Sequence, residues 1–182
     1  MGARHRHPAA RREGPPDLAA ALEIAARFLA TRPRTRWELE RRLRAAGVED
    51  AVLEACLVEL ARLGYLDDEG FVRWWAEQRD RHAPRGRRLV EAELRQRGIG
   101  RELLDTLRGE EFAEPALDGG GLPTSELERA RIALERHLRG RPMPDDPRAV
   151  QRLGAFLMRR GFDSETTRAT LRDALRWDPP EA

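Results

Sequence analysis

The stretch "LRQRGIGRELL", Leu94 to Leu104, contains the signal that decides the fold. It is a leucine, three residues, a glycine, an apolar residue and then a helical run. Glycine enters the left-handed conformation just past a helix without steric cost, so Gly98 is predicted to end one helix. Leu94 and Ile99 have the spacing of the two apolar residues that close over a Schellman turn. The stretch therefore predicts a corner between two helices, with Ile99 also reaching Leu104 in the second.

The same pattern occurs twice more, which makes it a repeat and not one isolated helix ending. "LRAAGVEDAVL" begins at Leu43, and "LMRRGFDSETT" begins at Leu157. Each predicted corner lies between the second and third helix of a triplet. An amphipathic triplet buries little apolar surface alone, so neighbouring triplets are expected to stack. The predicted corner residues are Leu43, Gly47 and Val48; Leu94, Gly98 and Ile99; and Leu157, Gly161 and Phe162.

Apolar residues at helical spacing and capping residues place the other helices around these corners. Thr35 and Glu38 form a predicted capping box before the second helix, and Asp67 is a predicted N-cap before the fourth. "LARLGY" ends the third helix, with a predicted contact between Leu60 and Tyr65. No stretch alternates as a strand would. The chain is therefore predicted to be all-α, with three tandem three-helix repeats in an elongated array.

The predicted repeats are separated by a segment rich in glycine and proline. "EPALDGGGLPT" contains three consecutive glycines, which is typical of a flexible linker. In the last repeat, "GRPMPDDP" is predicted to be a loop before a helix that starts at Ala149, and Ser164 is the predicted cap of the final helix. The predicted divisions are a disordered basic arm at 1–16, repeats at 17–66, 67–113 and 125–182, and the linker at 114–124.

The composition limits the class of protein. The 182 residues are 40% hydrophobic and 36% charged, with a formal net charge of +2. All 34 basic residues are arginine, so every cationic side chain can form a bidentate contact with a carboxylate or a phosphate. A single cysteine, Cys56, excludes an internal disulfide and fits a reducing compartment. No apolar run approaches 18 residues and residues 1–16 lack the apolar core of a secretory signal, so we expect a cytoplasmic protein without a membrane span.

Several segments resemble the RecX family, whose members regulate the RecA recombinase. "LARLGYLDDEGFVRWWAEQR" resembles the family's "L…GYLDD…FA" passage, and "PRGRRLVEAELRQRGI" resembles its "G…L…EL…KGI" passage. "RTRWELERRLRAAG" and "LGAFLMRRGF" resemble helices of its first and third repeats. The resemblance covers about 21–175. The chain departs from the family at the bulky Trp74 and Trp75, and at Thr166 and Thr167, where an aliphatic residue is usual.

The resemblance implies three tandem three-helix repeats in a curved, elongated array, and a regulator without enzymatic activity. Such a protein binds RecA filaments on DNA, in or near the filament groove, and restrains strand exchange, ATP hydrolysis and the co-protease function. It would do so by blocking filament extension or by promoting disassembly. We also expect a monomer with weaker, electrostatic binding to single- and double-stranded DNA. Two alternatives stay open: a helix-turn-helix transcription regulator that binds DNA directly, and a helical adaptor without nucleic-acid contact.

Arginines concentrate around the predicted break between the fourth and fifth helices. Residues 73–108 contain ten arginines and six acidic residues, and "RDRHAPRGRR" is the densest part. A basic excess on an exposed loop favours an anionic partner, either DNA phosphate or an acidic protein filament. A solvated charged face is the alternative. The candidate binding residues are Arg79, Arg81, Arg85, Arg87, Arg88, Arg95, Arg97, Trp74 and Trp75.

The two adjacent tryptophans add a stacking prediction, and the remaining motifs predict no chemistry. Trp74 and Trp75 point about 100° apart on a helix, so at most one faces fully inward and the other is a predicted surface anchor. The acidic pair at 67–68 is explained by helix capping. No glycine-rich phosphate loop and no pair of nucleophile and base is present. We therefore predict no enzyme activity, no cofactor and no metal site.

Overall fold

The computed structural model describes residues 14–109 and 125–176 of the chain. Within these ranges the regular secondary structure is helical throughout, which confirms the all-α prediction. The predicted linker 114–124 and most of the predicted arm 1–16 lie outside the described residues, and the predicted repeat boundaries stay predictions. The helices are α1 Leu18–Leu29, α2 Arg36–Ala45, α3 Asp50–Arg62, α4 Asp68–His82, α5 Arg87–Arg95, α6 Arg101–Gly109, α7 Glu126–Leu138, α8 Pro147–Arg159 and α9 Ser164–Arg176.

The chain divides into two compact units, Met1–Asp67 and Asp68–Ala182. In the first unit, α1, α2 and α3 enclose one apolar core in which Leu39, Leu43 and Leu57 are fully buried. The predicted capping box before α2 is confirmed. The Thr35 hydroxyl accepts the backbone N–H of Glu38 at 3.1 Å, and the Glu38 carboxylate accepts the N–H of Thr35 at 3.4 Å.

The second unit contains two apolar cores, one for each of its triplets. Phe71 and Leu94 belong to the core of α4, α5 and α6. In the other core, α9 packs against both α7 and α8. Thr167 and Thr170 of α9 are 4% and 2% exposed, and the Thr170 hydroxyl donates to the Thr166 carbonyl at 2.8 Å. The last helix is therefore packed in spite of its threonines.

The three repeated corners have the backbone geometry of Schellman turns. Gly47, Gly98 and Gly161 have φ values of +77°, +82° and +91°. In each corner the residue after the glycine donates its N–H to the leucine carbonyl five residues earlier, and both side chains of the pair are buried. The bonds join Val48 to Leu43 at 3.2 Å, Ile99 to Leu94 at 3.1 Å and Phe162 to Leu157 at 3.3 Å.

The corner at "LARLGY" forms through its backbone alone. Tyr65 donates its N–H to the Leu60 carbonyl at 2.9 Å, and Gly64 has a φ of +76°. The Tyr65 side chain, however, is 62% exposed, whereas Leu60 is buried. Most of the ring therefore remains in solvent, and the apolar closure predicted for this pair is weak.

Two predicted helix starts in the last triplet were wrong. α8 begins at Pro147, two residues before Ala149, because the fixed φ of proline suits the first helical position. Asp146 caps it by accepting the N–H of Ala149 at 3.0 Å. Ser164 is not the cap of α9. The N-cap is Asp163, whose carboxylate accepts the N–H of Thr166 at 2.7 Å. This hydrogen bond stabilises the charged carboxylate and so lowers the pKa of Asp163.

Candidate anion-binding surface

The basic loop between α4 and α5, residues 83–86, lies against the corner that Gly161 forms. Gly86 donates its N–H to the Arg160 carbonyl at 2.9 Å. A Cβ atom on Gly86 would lie 2.2 Å from the carbonyl carbon of Gly161, so the two backbones come this close because both residues are glycine. The contact brings Arg160 to within reach of Pro84, whose carbonyl accepts a long hydrogen bond from Nη1 of Arg160 at 3.5 Å.

A half-buried carboxylate, that of Glu93, organises arginines next to this loop. Glu93 on α5 accepts the indole N–H of Trp75 at 2.9 Å and Nε of Arg79 at 2.8 Å, both on Oε2. Its other oxygen pairs with Arg85. We call Trp75, Arg79, Arg85 and Glu93 the Glu93 cluster. One carboxylate thus fixes two guanidinium groups and an indole ring.

Trp75 is a support for arginines and not an exposed stacking surface. Its side chain is 7% exposed, and the guanidinium carbons of Arg79 and Arg97 lie 4.1 and 3.9 Å from its ring centroid. Trp74 is half-buried and packs 5.6 Å from Phe71 and 6.0 Å from Trp75, measured between ring centroids. Cation–π contacts of this kind hold a guanidinium in place while it stays charged. The prediction of one tryptophan as a surface anchor therefore rests on Trp74.

The Glu93 cluster carries more positive than negative charge. Burial lowers the pKa of the Arg85 guanidinium, and the positive charges of Arg79 and Arg160 lower it further. Burial also lowers the pKa of Arg79. Arginine nevertheless stays protonated at neutral pH, so these groups repel one another across a small volume. An incoming anion would relieve that repulsion, which makes this surface a candidate for binding phosphate or carboxylate groups.

The other predicted arginines separate into paired and available groups. Arg81 pairs with Glu77, and Arg95 pairs with Glu91 at 2.9 Å, each within one helical turn. Arg87 and Arg88 are exposed at the start of α5. Within residues 14–109 and 125–176 neither guanidinium lies within 4 Å of a carboxylate, although the charge of Arg87 opposes the rise in the pKa of Glu126 that burial causes, and the charge of Arg88 contributes to the lowered pKa of Asp163. They are therefore the members of the predicted set with the most freedom to meet a partner.

Sequence reasoning missed a second polar contact between the two triplets of this unit. Nε of Arg129 on α7 donates to both carboxylate oxygens of Asp80 at 3.0 Å, and these side chains are 11% and 9% exposed. The Glu126 carboxylate accepts the backbone N–H of Arg87 at 2.8 Å, so a side chain of α7 caps the start of α5. A cavity of about 20 Å³, room for about one water molecule, lies beside these groups.

Burial dominates the titration of the two carboxylates in this contact. It raises the pKa of Asp80, although Arg129 opposes the change. It also raises the pKa of Glu126, although the N–H of Arg87 and the charge of Arg129 oppose it. Each group therefore costs stability when it is charged, and the folded state takes up its proton at a higher pH than the unfolded state does.

A pH prediction follows for Glu126→Gln, which keeps the shape and the acceptor oxygen. As pH falls from 7 towards 4.5, the ordinary pKa of the carboxyl, folded Glu126 is protonated before unfolded Glu126. The wild type gains stability in this window, and the variant lacks that gain. The difference in free energy of unfolding, wild type minus variant, is expected to grow on acidification. Urea unfolding at several pH values measures it, and a constant or shrinking difference would contradict the assignment.

The described residues offer no evidence of catalytic chemistry. They contain no group of three or more histidine, cysteine, aspartate or glutamate side chains that could hold a metal ion. Cys56 is buried, and burial raises the pKa of its thiol, which disfavours the nucleophilic thiolate. The 20 Å³ cavity is far smaller than a small-molecule pocket. None of the described helices is both long and apolar enough to cross a membrane.

Three family models match successive parts of the chain. Models of the first, second and third three-helix domains of RecX match residues 21–60, 67–106 and 124–171. The chain is 37% identical over 175 residues to the regulatory protein RecX of Thermobifida fusca, covering 90% of this chain and 88% of that one. It is 34% identical over 145 residues to the protein of the same name from Mycolicibacterium vanbaalenii, covering 79% and 76%.

Solved structures show the same fold at low identity. The crystal structure of RecX from Lactobacillus salivarius has a TM-score of 0.68 with 14% identity, covering 87% of this chain and 96% of that one. A second crystal structure of regulatory protein RecX has a TM-score of 0.64 with 21% identity, covering 86% and 71%. With three domain models in sequence order and relatives above 30% identity over most of their length, the chain belongs to the RecX family of regulatory proteins.

Proposed function

We propose that this protein binds RecA filaments on DNA and inhibits strand exchange, ATP hydrolysis and the co-protease function. It would act as a cytoplasmic monomer, by blocking filament extension or promoting disassembly. Membership of a regulatory family and the lack of a catalytic constellation among the described residues support a binding role. The observation that carries the proposal is the match to all three RecX domains in order.

The candidate surface suggests how such binding occurs. Arg87 and Arg88 project from the start of α5 next to the Glu93 cluster, and their backbone is fixed by Glu126 and by the contact of Gly86 with Gly161. Arginines on a rigid loop meet phosphates or carboxylates with little loss of conformational entropy. The same surface could meet DNA phosphates exposed in a filament or acidic groups of the recombinase, and both contacts would weaken with salt.

The helix-turn-helix alternative predicts a third helix that reads bases with polar or basic side chains. Of the third helices here, α3 is acidic and apolar, α6 has two arginines against two acidic residues, and α9 has three against two. α3 contains Asp50, Glu54 and Glu59 against one arginine, Arg62. A negatively charged helix is repelled by the major groove, so the filament role is preferred over sequence-specific operator binding.

ATP hydrolysis by RecA on single-stranded DNA tests the proposed function. The protein is added at substoichiometric ratios to assembled filaments, and hydrolysis is followed over time. We expect a progressive fall, because one bound inhibitor affects many recombinase subunits in a filament. An unchanged rate at every ratio overturns the proposal, and tight binding to one duplex sequence would favour the transcription regulator instead.

Removal of the two available arginines is predicted to weaken filament binding. Arg87→Ala with Arg88→Ala should raise the Kd roughly tenfold at moderate salt. The slope of log K against log salt concentration should become shallower by about 1.4, or about 0.7 for each lost phosphate contact on a single strand. Arg62→Ala with Arg73→Ala is the matched control. It removes the same charge from exposed arginines that pair with Glu59 and Glu69, and co-sedimentation with filaments should show little change. Equal loss in both variants would remove these two arginines from the mechanism.

A further inference from the structure

The outer face of α8 carries a row of exposed arginines that sequence reasoning did not single out. Arg148, Arg152 and Arg159 are separated by four and seven residues, so they fall within about 40° of one another around the helix axis. All three are exposed. α8 contains no acidic residue along its whole length. We call these three residues the α8 stripe.

The α8 stripe is almost uncompensated by negative charge. Within the described ranges, the guanidinium groups of Arg148 and Arg159 form no ion pair. Arg152 lies 3.9 Å from the Asp146 carboxylate, but these side chains are 73% and 58% exposed, so the pair is weak. Residues 125–176 as a whole hold twelve arginines and eight acidic residues. The net positive charge of this segment is therefore concentrated on the α8 stripe, where nearby carboxylates do little to neutralise it.

The geometry of the stripe suits a regular polyanion. Its ends are about 16 Å apart along the helix at 1.5 Å per residue. A DNA duplex presents a phosphate every 1.7 Å along its axis, so three guanidinium groups over this length can each find one. The cores of protein–protein interfaces, by contrast, are depleted in charged residues.

The residues between the arginines indicate the kind of contact. Gln151, Ala155 and Met158 are the other exposed residues of this face after the first turn, and Met158 is 57% exposed. None of them is aromatic, so the face has no ring on which an unpaired base could stack. A duplex held by its backbone fits such a face better than a single strand does.

The C-terminal end of the stripe meets the basic loop of the preceding triplet. Arg160, which follows Arg159, donates its guanidinium to the carbonyl of Pro84 and lies close enough to Arg85 to lower its pKa. Asp163, the nearest acid beyond the corner, is already held by the N–H of Thr166. The α8 stripe and the loop are thus neighbouring parts of one basic region.

We propose that the α8 stripe binds the phosphate backbone of duplex DNA without reading its sequence. The proposal assigns the expected electrostatic binding of duplex DNA to one face of the fold. Because this site requires no recombinase, its test is independent of the proposed inhibition of RecA filaments. Three arginine–phosphate contacts account for the binding, and each should contribute about 0.9 to the slope of log K against log salt concentration.

Fluorescence anisotropy with a labelled duplex of arbitrary sequence, in the absence of RecA, tests the proposal. The triple variant Arg148→Ala, Arg152→Ala, Arg159→Ala should lose about 2.7 from the salt slope and bind at least tenfold more weakly at low salt. The control variant Arg27→Ala, Arg62→Ala, Arg73→Ala removes the same charge from exposed arginines paired with Glu23, Glu59 and Glu69. It should keep the wild-type slope.

The other outcomes each decide against a part of the proposal. Equal losses in the two triple variants would show that net charge, and not the stripe, drives binding. A single strand of the same length that binds more tightly than the duplex would overturn the duplex assignment. Polyglutamate that competes as well as DNA at equal charge would assign the stripe to an acidic protein. The variant Arg148→Lys, Arg152→Lys, Arg159→Lys keeps the charges and should bind within a few-fold of wild type, and its failure to do so would also overturn backbone binding by charge.

Discussion

Gly86→Ala is expected to lower the free energy of unfolding of the second unit by about 3 kcal/mol or more. The added Cβ would lie 2.2 Å from the carbonyl carbon of Gly161 and 2.3 Å from the amide nitrogen of Phe162. Both are backbone atoms, which cannot turn aside as a flexible side chain can. The two triplets must move apart, and the hydrogen bond from Gly86 to Arg160 is strained with them. Urea unfolding followed by circular dichroism measures the loss.

Two matched pairs of glycines distinguish the effect of the close contact between Gly86 and Gly161 from the effects of the alanine substitution itself. Gly100, like Gly86, stands directly before a helix, but a Cβ there meets nothing within 4 Å, so Gly100→Ala should cost about 1 kcal/mol or less. Gly47 and Gly161 both have positive φ, and Gly47→Ala should cost about 1–2 kcal/mol from strain alone. Gly161→Ala adds a clash at 2.4 Å with Cβ of Leu89 and should cost clearly more. Equal losses within either pair would contradict the close backbone contact.

Arg129→Met is the second change with a large expected effect, a loss of about 3–5 kcal/mol at pH 7. Arg129 donates to both oxygens of the Asp80 carboxylate, and both side chains are nearly buried. Methionine fills the space of the aliphatic stem but leaves the Asp80 carboxylate buried without its cation. The loss should shrink at acid pH, because protonation of Asp80 removes the unpaired charge. Urea unfolding at pH 7 and at acid pH measures both effects.

The control for this prediction lies on the same helix. Arg131 is 3.9 Å from Glu135, and their side chains are 63% and 62% exposed, so Arg131→Met should change stability by about 0.5 kcal/mol or less. The double variant Asp80→Leu with Arg129→Met should recover part of the loss, since it removes the Asp80 charge and leaves only Glu126, 3.8 Å from Arg129 in the wild type, without its cation. If Arg129→Met costs no more than Arg131→Met, the buried pair does not hold the two triplets together.

Local signals in the sequence were enough to predict the helices and their corners. The spacing of leucine, glycine and an apolar residue predicts a Schellman turn because its hydrogen bonds join residues five apart at most, so the whole motif is visible in one short stretch. The pattern therefore predicted correctly that helices end at Gly47, Gly98 and Gly161. Pro147 shows the limit of such signals, since a proline can either break a helix or open one, and the cap at Asp146 decides.

The arrangement of the candidate site could be predicted only in part, because distant segments build it. The arginine-rich loop is evident in "APRGRR", but nothing in that stretch indicates that Gly86 meets Gly161 or that Arg160 donates to the Pro84 carbonyl. Trp75 looked equally suited to stacking on bases, but it is buried and donates a hydrogen bond to Glu93, eighteen residues later. A helical wheel of α8, by contrast, would have shown its row of arginines without any structure.

The length of RecA filaments on single-stranded DNA tests the central claim most directly. Filaments are imaged by electron microscopy at fixed recombinase and nucleotide concentrations, with and without substoichiometric amounts of this protein. Inhibition by blocked extension or by disassembly predicts filaments that are shorter with the wild type, and closer to full length with Arg87→Ala and Arg88→Ala combined. The same length distribution with and without the wild-type protein would contradict it.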